Sequence, residues 1–109
     1  MGTAVKTAYF ILGGLDRGMV SFWDRHDPGA HAAFLEWREE HSDWYVLNCT
    51  SGSEIWLHEL RCSAFDFDPD TKVSLTRNRK ICSSDRDQLT RWARWQWGVT
   101  LMDCSRCKP

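Results

Sequence analysis

Apolar residues fall into stretches of alternating and of helical spacing, and these divide the chain into short elements. Ala4–Leu12 carries Val5, Tyr9, Phe10 and Ile11, residue types favoured in strands, and reads as a β-strand. Gly13–Gly14 and Gly18 bracket a turn, after which Met19–Trp23 pairs back as a second strand. Asp27–Pro28 reads as a helix start, an acidic N-cap followed by the residue tolerated at the first helical position. That helix runs to about His41, with Ala30, Ala33, Phe34 and Trp37 on one face and Glu36, Glu39 and Glu40 outside. Trp44–Thr50 and Glu54–His58 form a hairpin around Ser51-Gly52-Ser53. In Leu60–Lys72, Phe and Asp alternate ahead of Pro69, which reads as loop, and Val73–Ile81 contains another short strand. Ser84 opens a capping box with Asp87, and Asp85–Trp97 is a second helix with Leu89, Trp92 and Ala93 at core spacing. Gly98 stops this helix, and Val99–Met102 is a final strand.

At 109 residues these elements make one small α+β domain of antiparallel hairpins and two helices. A composition of 42% hydrophobic and 27% charged residues excludes a collagen-like or disordered chain. No apolar run approaches the roughly 20 residues that span a bilayer. The best, Ala8–Leu15, lies between Lys6 and Asp16–Arg17. It is too short for a signal peptide and lacks a small-residue cleavage site, so it reads as a core strand and the expected compartment is the cytoplasm. Seven tryptophans can fill much of a small core, and any left exposed offers a flat face to a ligand or a base.

The net charge of −1 hides a division. Residues 1–70 hold 5 Lys/Arg against 12 Asp/Glu, a balance of −7, and residues 71–109 hold 9 against 3, a balance of +6. A basic half suits an anionic partner. The plainer reading is that the two halves attract each other in the fold, or that the acidic part forms a dimer contact.

Five cysteines, an odd number, argue against a fully paired disulfide framework. Cys104 and Cys107 form a C-x2-C knuckle, in which two thiolates converge on one ion while backbone N–H groups of the turn bond the sulfurs. Redox C-x-x-C motifs open a helix after a strand, whereas this one lies two residues from the end of the sequence. His58 and Cys62, four apart at the mouth of the hairpin, supply a second pair. Together His58, Cys62, Cys104 and Cys107 make a closed four-coordinate Cys3His site for structural Zn2+, tying the last dozen residues to the central hairpin. Cys82 is the rival, able to replace His58 as a fourth thiolate. Cys49, in mid-strand, reads as core, and His26, His31 and His41 lack partner spacing.

The order H-x3-C, a basic loop, a helix and then G-V-T-L-M-D-C-S-R-C-K-P resembles the metal-binding domain of the Ada DNA-repair protein and its relatives. The resemblance covers about Glu54 to Pro109, is most specific from Gly98 onward, and leaves residues 1–50 unassigned within the single domain. It implies a hairpin bearing C-x3-C or H-x3-C, a following helix, and a closing glycine, short strand and C-x2-C with a basic residue and proline. In Ada, zinc activates the first cysteine of the upstream pair to take a methyl group from a DNA phosphotriester. Here that position is His58, so the resemblance implies a zinc fold without methyl transfer.

The leading functional expectation is therefore a zinc-stabilised binding or adaptor domain that contacts DNA or RNA through its basic C-terminal half. Arg77, Arg79, Lys80, Arg86, Arg91 and Arg94 would meet phosphates, with Arg106 and Lys108 beside the knuckle and Trp95 or Trp97 stacking on an unpaired base. The alternative is a protein–protein interaction module with a purely structural zinc, its contact surface the acidic half or a tryptophan patch. An enzyme ranks third. His58-Glu59 is not H-E-x-x-H because position 61 is Arg, and Asp66, Asp68 and Asp70 lack the glycine and distal glutamate of an EF-hand loop. No phosphate-cradling glycine loop is present.

Overall fold

In the computed structural model, which describes residues 10–12, 18–50, 53–71 and 73–109, strands from both halves of the chain meet in one sheet. They are β1 (Phe10–Leu12), β2 (Met19–Phe22), β3 (Tyr45–Cys49), β4 (Ile55–Glu59), β5 (Arg79–Ser83) and β6 (Met102–Asp103). Their order across the sheet is β1-β2-β5-β3-β4-β6. Helix α1 (Ala30–Glu40) follows β2, and α2 (Arg86–Trp97) follows β5. The class is α+β. The sheet is mixed, however: every neighbouring pair is antiparallel except β4 and β6, which run parallel. Parallel neighbours need a long crossover, and everything from Leu60 to Leu101, α2 included, lies between these two strands.

The register explains the core. Opposed residues share a face of the sheet, so Val20, Cys82, Val46 and His58 form one row, and Ser21, Ile81, Leu47 and Leu57 form the next row on the other face. The first face packs under α1, where Ala30 and Phe34 join Val20, Phe22, Val46, Leu60, Phe65 and Cys82. The second packs under α2, where Leu89, Trp92 and Ala93 join Met19, Leu47, Ile55, Leu57 and Ile81. With helices on both faces, β2 is buried at all four positions rather than at alternate ones. The strand β3 separates β4 from β5, so the segment before residue 50 is woven between strands of the later segment.

Several boundaries differ from those the sequence suggests. Helix α1 begins at Ala30, with Gly29 as an N-cap that makes no side-chain cap bond. Asp27 instead accepts a hydrogen bond from the Gly29 N–H at 2.7 Å, closing a turn ahead of the helix. The expected loop 60–72 contains a 3-10 turn at Ser63–Phe65 that buries Phe65, and a second such turn at Leu75–Arg77 delays β5 to Arg79–Ser83. The last strand is Met102–Asp103 rather than 99–102. Residues 4–9 of the expected first strand, and Gly13, Gly14, Ser51 and Gly52 of two expected turns, lie outside the described residues. Among the described residues no helix is long and apolar enough to cross a membrane.

The start of α2 shifts by one residue. Asp85, not Ser84, is the N-cap, its Oδ1 accepting from the N–H groups of Asp87 (3.0 Å) and Gln88 (3.4 Å). Ser83 Oγ accepts from the Asp85 N–H (3.0 Å) and donates to Gln88 Oε1 (2.6 Å). A carboxylate outcompetes a hydroxyl here because it also meets the positive end of the helix dipole. At the other end, Gly98 takes φ +66, the left-handed conformation that closes a helix, and its N–H bonds the Arg94 carbonyl at 2.8 Å. Asp85→Ala is expected to cost about 1 kcal/mol and Ser84→Ala within about 0.5 kcal/mol of nothing, checked by the shift in urea midpoint. Equal losses would return the cap to Ser84.

Candidate metal centre

Four side chains from two distant stretches meet at the edge of the sheet. His58 is the fourth residue of β4, and Cys62 follows on the turn that leads into Ser63–Phe65. Cys104 comes directly after β6, its N–H bonded to the Leu57 carbonyl at 3.0 Å, and Cys107 lies in the turn beyond. One ligand atom from each, three sulfurs and an imidazole nitrogen, lie within 4.8 Å of one another. Cys62 Sγ and Cys104 Sγ are 3.8 Å apart. A tetrahedral ion with metal–sulfur distances of about 2.3 Å sets its sulfurs about 3.8 Å apart, so this edge already has the right length. All the cysteines are free.

The surroundings suit a dication. The Glu59 N–H donates to Cys107 Sγ at 3.2 Å and the Arg106 N–H donates to Cys104 Sγ at 3.4 Å, the pattern that stabilises thiolates in a knuckle. Cys104 sits below the ordinary thiol range: burial pushes it up, but the N–H groups of Cys107 and Arg106, with hydrogen bonds to the Cys62 and Cys107 thiols, more than offset that. Cys107 is pushed up to about 12, by burial first and then by its neighbouring sulfurs. Three adjacent sulfurs do not all ionise without a cation among them. His58 is buried, and burial followed by the charges of Lys80 and Arg106 holds it down at about 4, leaving the ring neutral at pH 7 with a lone pair to give. Its Nδ1 is buried with no hydrogen-bond partner among the described residues. The donor set and this partnerless nitrogen fit a Cys3His zinc site.

Cys82 shares a sheet face with His58 but stands two strands away, with Val46 between them. At about 4.8 Å per strand that is roughly 9.6 Å, too far for a common ion. Burial pushes its thiol far up, and it serves as a core residue. Cys49, at the end of β3, is likewise raised by burial, to about 11. His31 accepts a hydrogen bond from the Leu75 N–H at 3.0 Å, and His41 stacks on Trp37.

Arg38, which the sequence does not single out, holds the turn that carries Cys62. From α1 its Nε donates to the Leu60 carbonyl (2.8 Å) and its Nη2 to the Cys62 carbonyl (3.0 Å), the Arg61 carbonyl (3.3 Å) and Asp66 Oδ1 (2.8 Å). One planar fork thus satisfies three carbonyls at once. Its only trace in the sequence is an Arg in the last turn of a predicted helix, where a solvated cation is the ordinary reading.

The basic residues separate. Arg77, Arg91, Arg94 and Arg106 are exposed, and Arg79 is half-buried. Lys80 is a correction: it is 2% exposed and turned under α1. Its Nζ donates to the Leu75 carbonyl (2.6 Å), Asn48 Oδ1 (2.9 Å) and the Asn78 carbonyl (3.0 Å), so no phosphate reaches it. Trp95 is 72% exposed, while Trp97 packs edge-on against Trp92. The ion pairs Arg38–Asp66, Arg61–Glu59, Arg86–Asp103 and Arg91–Asp85 each join partners from the same half of the chain. No family model, curated protein or solved structure matches this chain.

Arg38→Met leaves three carbonyls short of a donor and frees the Cys62 turn. Zinc affinity is expected to fall about 10- to 100-fold, read by competition with a chromogenic chelator. Arg38→Lys, a point charge in place of a fork, is expected to recover little of it. Wild-type affinity in both variants would show that Arg38 does not position the turn.

Proposed function

We propose that this chain is a zinc-stapled binding domain that contacts nucleic acid, with the metal in a structural role. The convergence of the His58, Cys62, Cys104 and Cys107 ligand atoms within 4.8 Å carries the reading. Those four residues would hold the ion, which would supply a cross-link between β4 and the C-terminal turn. Four protein ligands leave no open position for water or substrate, the arrangement of structural rather than catalytic zinc. The same order of ligands supports kinship with the Ada-type metal-binding domain. His58 in the first ligand position sets the two apart, because an imidazole can hold a metal there but does not repeat a thiolate's methyl acceptance.

Nucleic-acid contact is supported by where the cations point. Arg77, Arg91, Arg94 and Arg106 reach solvent from the later, basic half, and the ion pairs named above leave Arg77, Arg94 and Arg106 out.

Elemental analysis of the purified protein is expected to give one zinc per chain, retained in Cys82→Ala and lost in Cys107→Ser and His58→Ala. Zinc at about 1,000 times its Kd adds about 4 kcal/mol to the folded state. Stripping it with a chelator should therefore lower Tm by about 15–30 °C. A metal-free protein with an unchanged Tm, or loss of zinc in Cys82→Ala with retention in His58→Ala, would overturn the proposal.

A further inference from the structure

The strand that ends at the metal centre begins at a second site. Beside Ile55, the first residue of β4, the side chains of Trp23, Arg25, Arg77, Arg79 and Trp97 surround a cavity of about 460 Å³. That volume lies in the range of small-ligand sites. Its walls come from the end of β2, the start of β5 and the last residue of α2. Two tryptophans supply flat apolar surface, three arginines supply charge, and no acidic residue is among the described residues that line it.

The arginines lack internal counter-ions. None of the three takes part in an ion pair among the described residues. The Arg25 guanidinium lies 5.3 Å and that of Arg79 5.6 Å from the centre of the Trp23 ring. Arg79 is half-buried, and its Nε donates to Ser21 Oγ at 2.8 Å. Drawing a guanidinium out of water without a carboxylate is costly, and no described residue supplies the anion here. The C-terminus of α2 opposes an anion with about half a charge, against three full positive ones.

The site is also braced. The Asp24 N–H donates to the Thr76 carbonyl at 3.0 Å, and Thr76 Oγ1 donates to Asp24 Oδ1. The segment bearing Trp23 and Arg25 is thereby fastened to the one bearing Arg77. Buried Lys80 holds the carbonyls of Leu75 and Asn78 on either side of Arg77. Walls fixed beforehand lose little entropy when a ligand arrives.

We infer that this cavity binds an unpaired nucleotide, with its base against the tryptophan walls and its phosphate among Arg25, Arg77 and Arg79. The inference rests on the nucleic-acid reading above and gives it a place and a ligand class. Aromatic walls take bases that are free of a helical stack, whereas a duplex keeps its bases inside. A free nucleotide and a residue within a single strand share this chemistry.

The test uses the zinc-loaded full-length protein, labelled oligo(dT) and oligo(U) of about a dozen nucleotides, and AMP as competitor, at about 50 mM salt. Trp23→Leu is expected to weaken oligonucleotide binding about tenfold. Arg77→Gln, at an exposed position, should weaken it and reduce the log–log salt slope by about 0.7. Displacement by AMP would identify a free-nucleotide site, and binding that AMP does not displace would identify a strand site; both support the cavity. Undiminished binding in the two cavity variants, with loss in Arg91→Gln/Arg94→Gln, would overturn the cavity and leave nucleic-acid contact standing. Equal affinity for a duplex, or a response to inorganic phosphate alone, would overturn the base. Failure of the wild-type protein to bind either oligonucleotide or AMP would remove both readings, with the zinc content unaffected.

Discussion

The last strand of the sheet is two residues long, and both are exposed. Two residues of parallel pairing do little to hold a chain segment, since parallel bonds are slanted and slightly weaker per residue than antiparallel ones. What fixes the C-terminal turn is the meeting of Cys104 and Cys107 with His58 and Cys62. Three thiols and a neutral imidazole with a partnerless nitrogen are poor company for one another in a buried place. Hydrogen bonds between sulfurs are weak, and three neighbouring thiolates repel. A dication resolves both difficulties, which is why the arrangement makes physical sense as a metal cross-link and little sense as an apolar cluster.

The candidate metal centre lies at the margin of the sheet. Its α1 face carries a continuous row from Val20 through Cys82 and Val46 to His58, so the ligand histidine is the outermost member of a core row. The turn bearing Cys62 is tied back to α1 by Arg38. One guanidinium thus joins α1 to the turn that carries Cys62. The α2 face works differently. It ends in a cavity whose three arginines form no ion pair among the described residues, at the far end of β4 from the candidate ligands. One short strand thus runs from the proposed metal centre at one end to the proposed recognition cavity at the other, so that on this reading metal supports binding without touching what is bound.

Much of this is legible in the sequence where the signals are local. The hairpin around residues 50–54, the apolar face of α1 and the glycine stop of α2 all follow from spacing over a few positions. So do the two donor pairs, because H-x3-C and C-x2-C each bring two donors close together along the chain. The rest depends on what is distant in the chain. Nothing near Met102 tells that it lies parallel to β4, and nothing near Val46 tells that it will stand between Cys82 and His58. Lys80 sits between Arg79 and Ile81 in a basic stretch whose sequence suggests phosphate contact, yet the register turns it inward beneath α1, where three oxygens replace water. Arg38 and the cavity escape for the same reason: the partners of Arg38 lie 22 or more positions away, and the cavity gathers residues from Trp23 to Trp97. The shift of the α2 cap from Ser84 to Asp85 has a nearer cause, two overlapping acceptor patterns of which the charged one wins.

X-ray absorption at the zinc edge of the loaded protein tests the central claim most directly. A closed Cys3His centre gives a first shell of three sulfurs at about 2.3 Å and one nitrogen at about 2.0–2.1 Å. A shell dominated by oxygen or nitrogen, or one of four sulfurs without nitrogen, would contradict it.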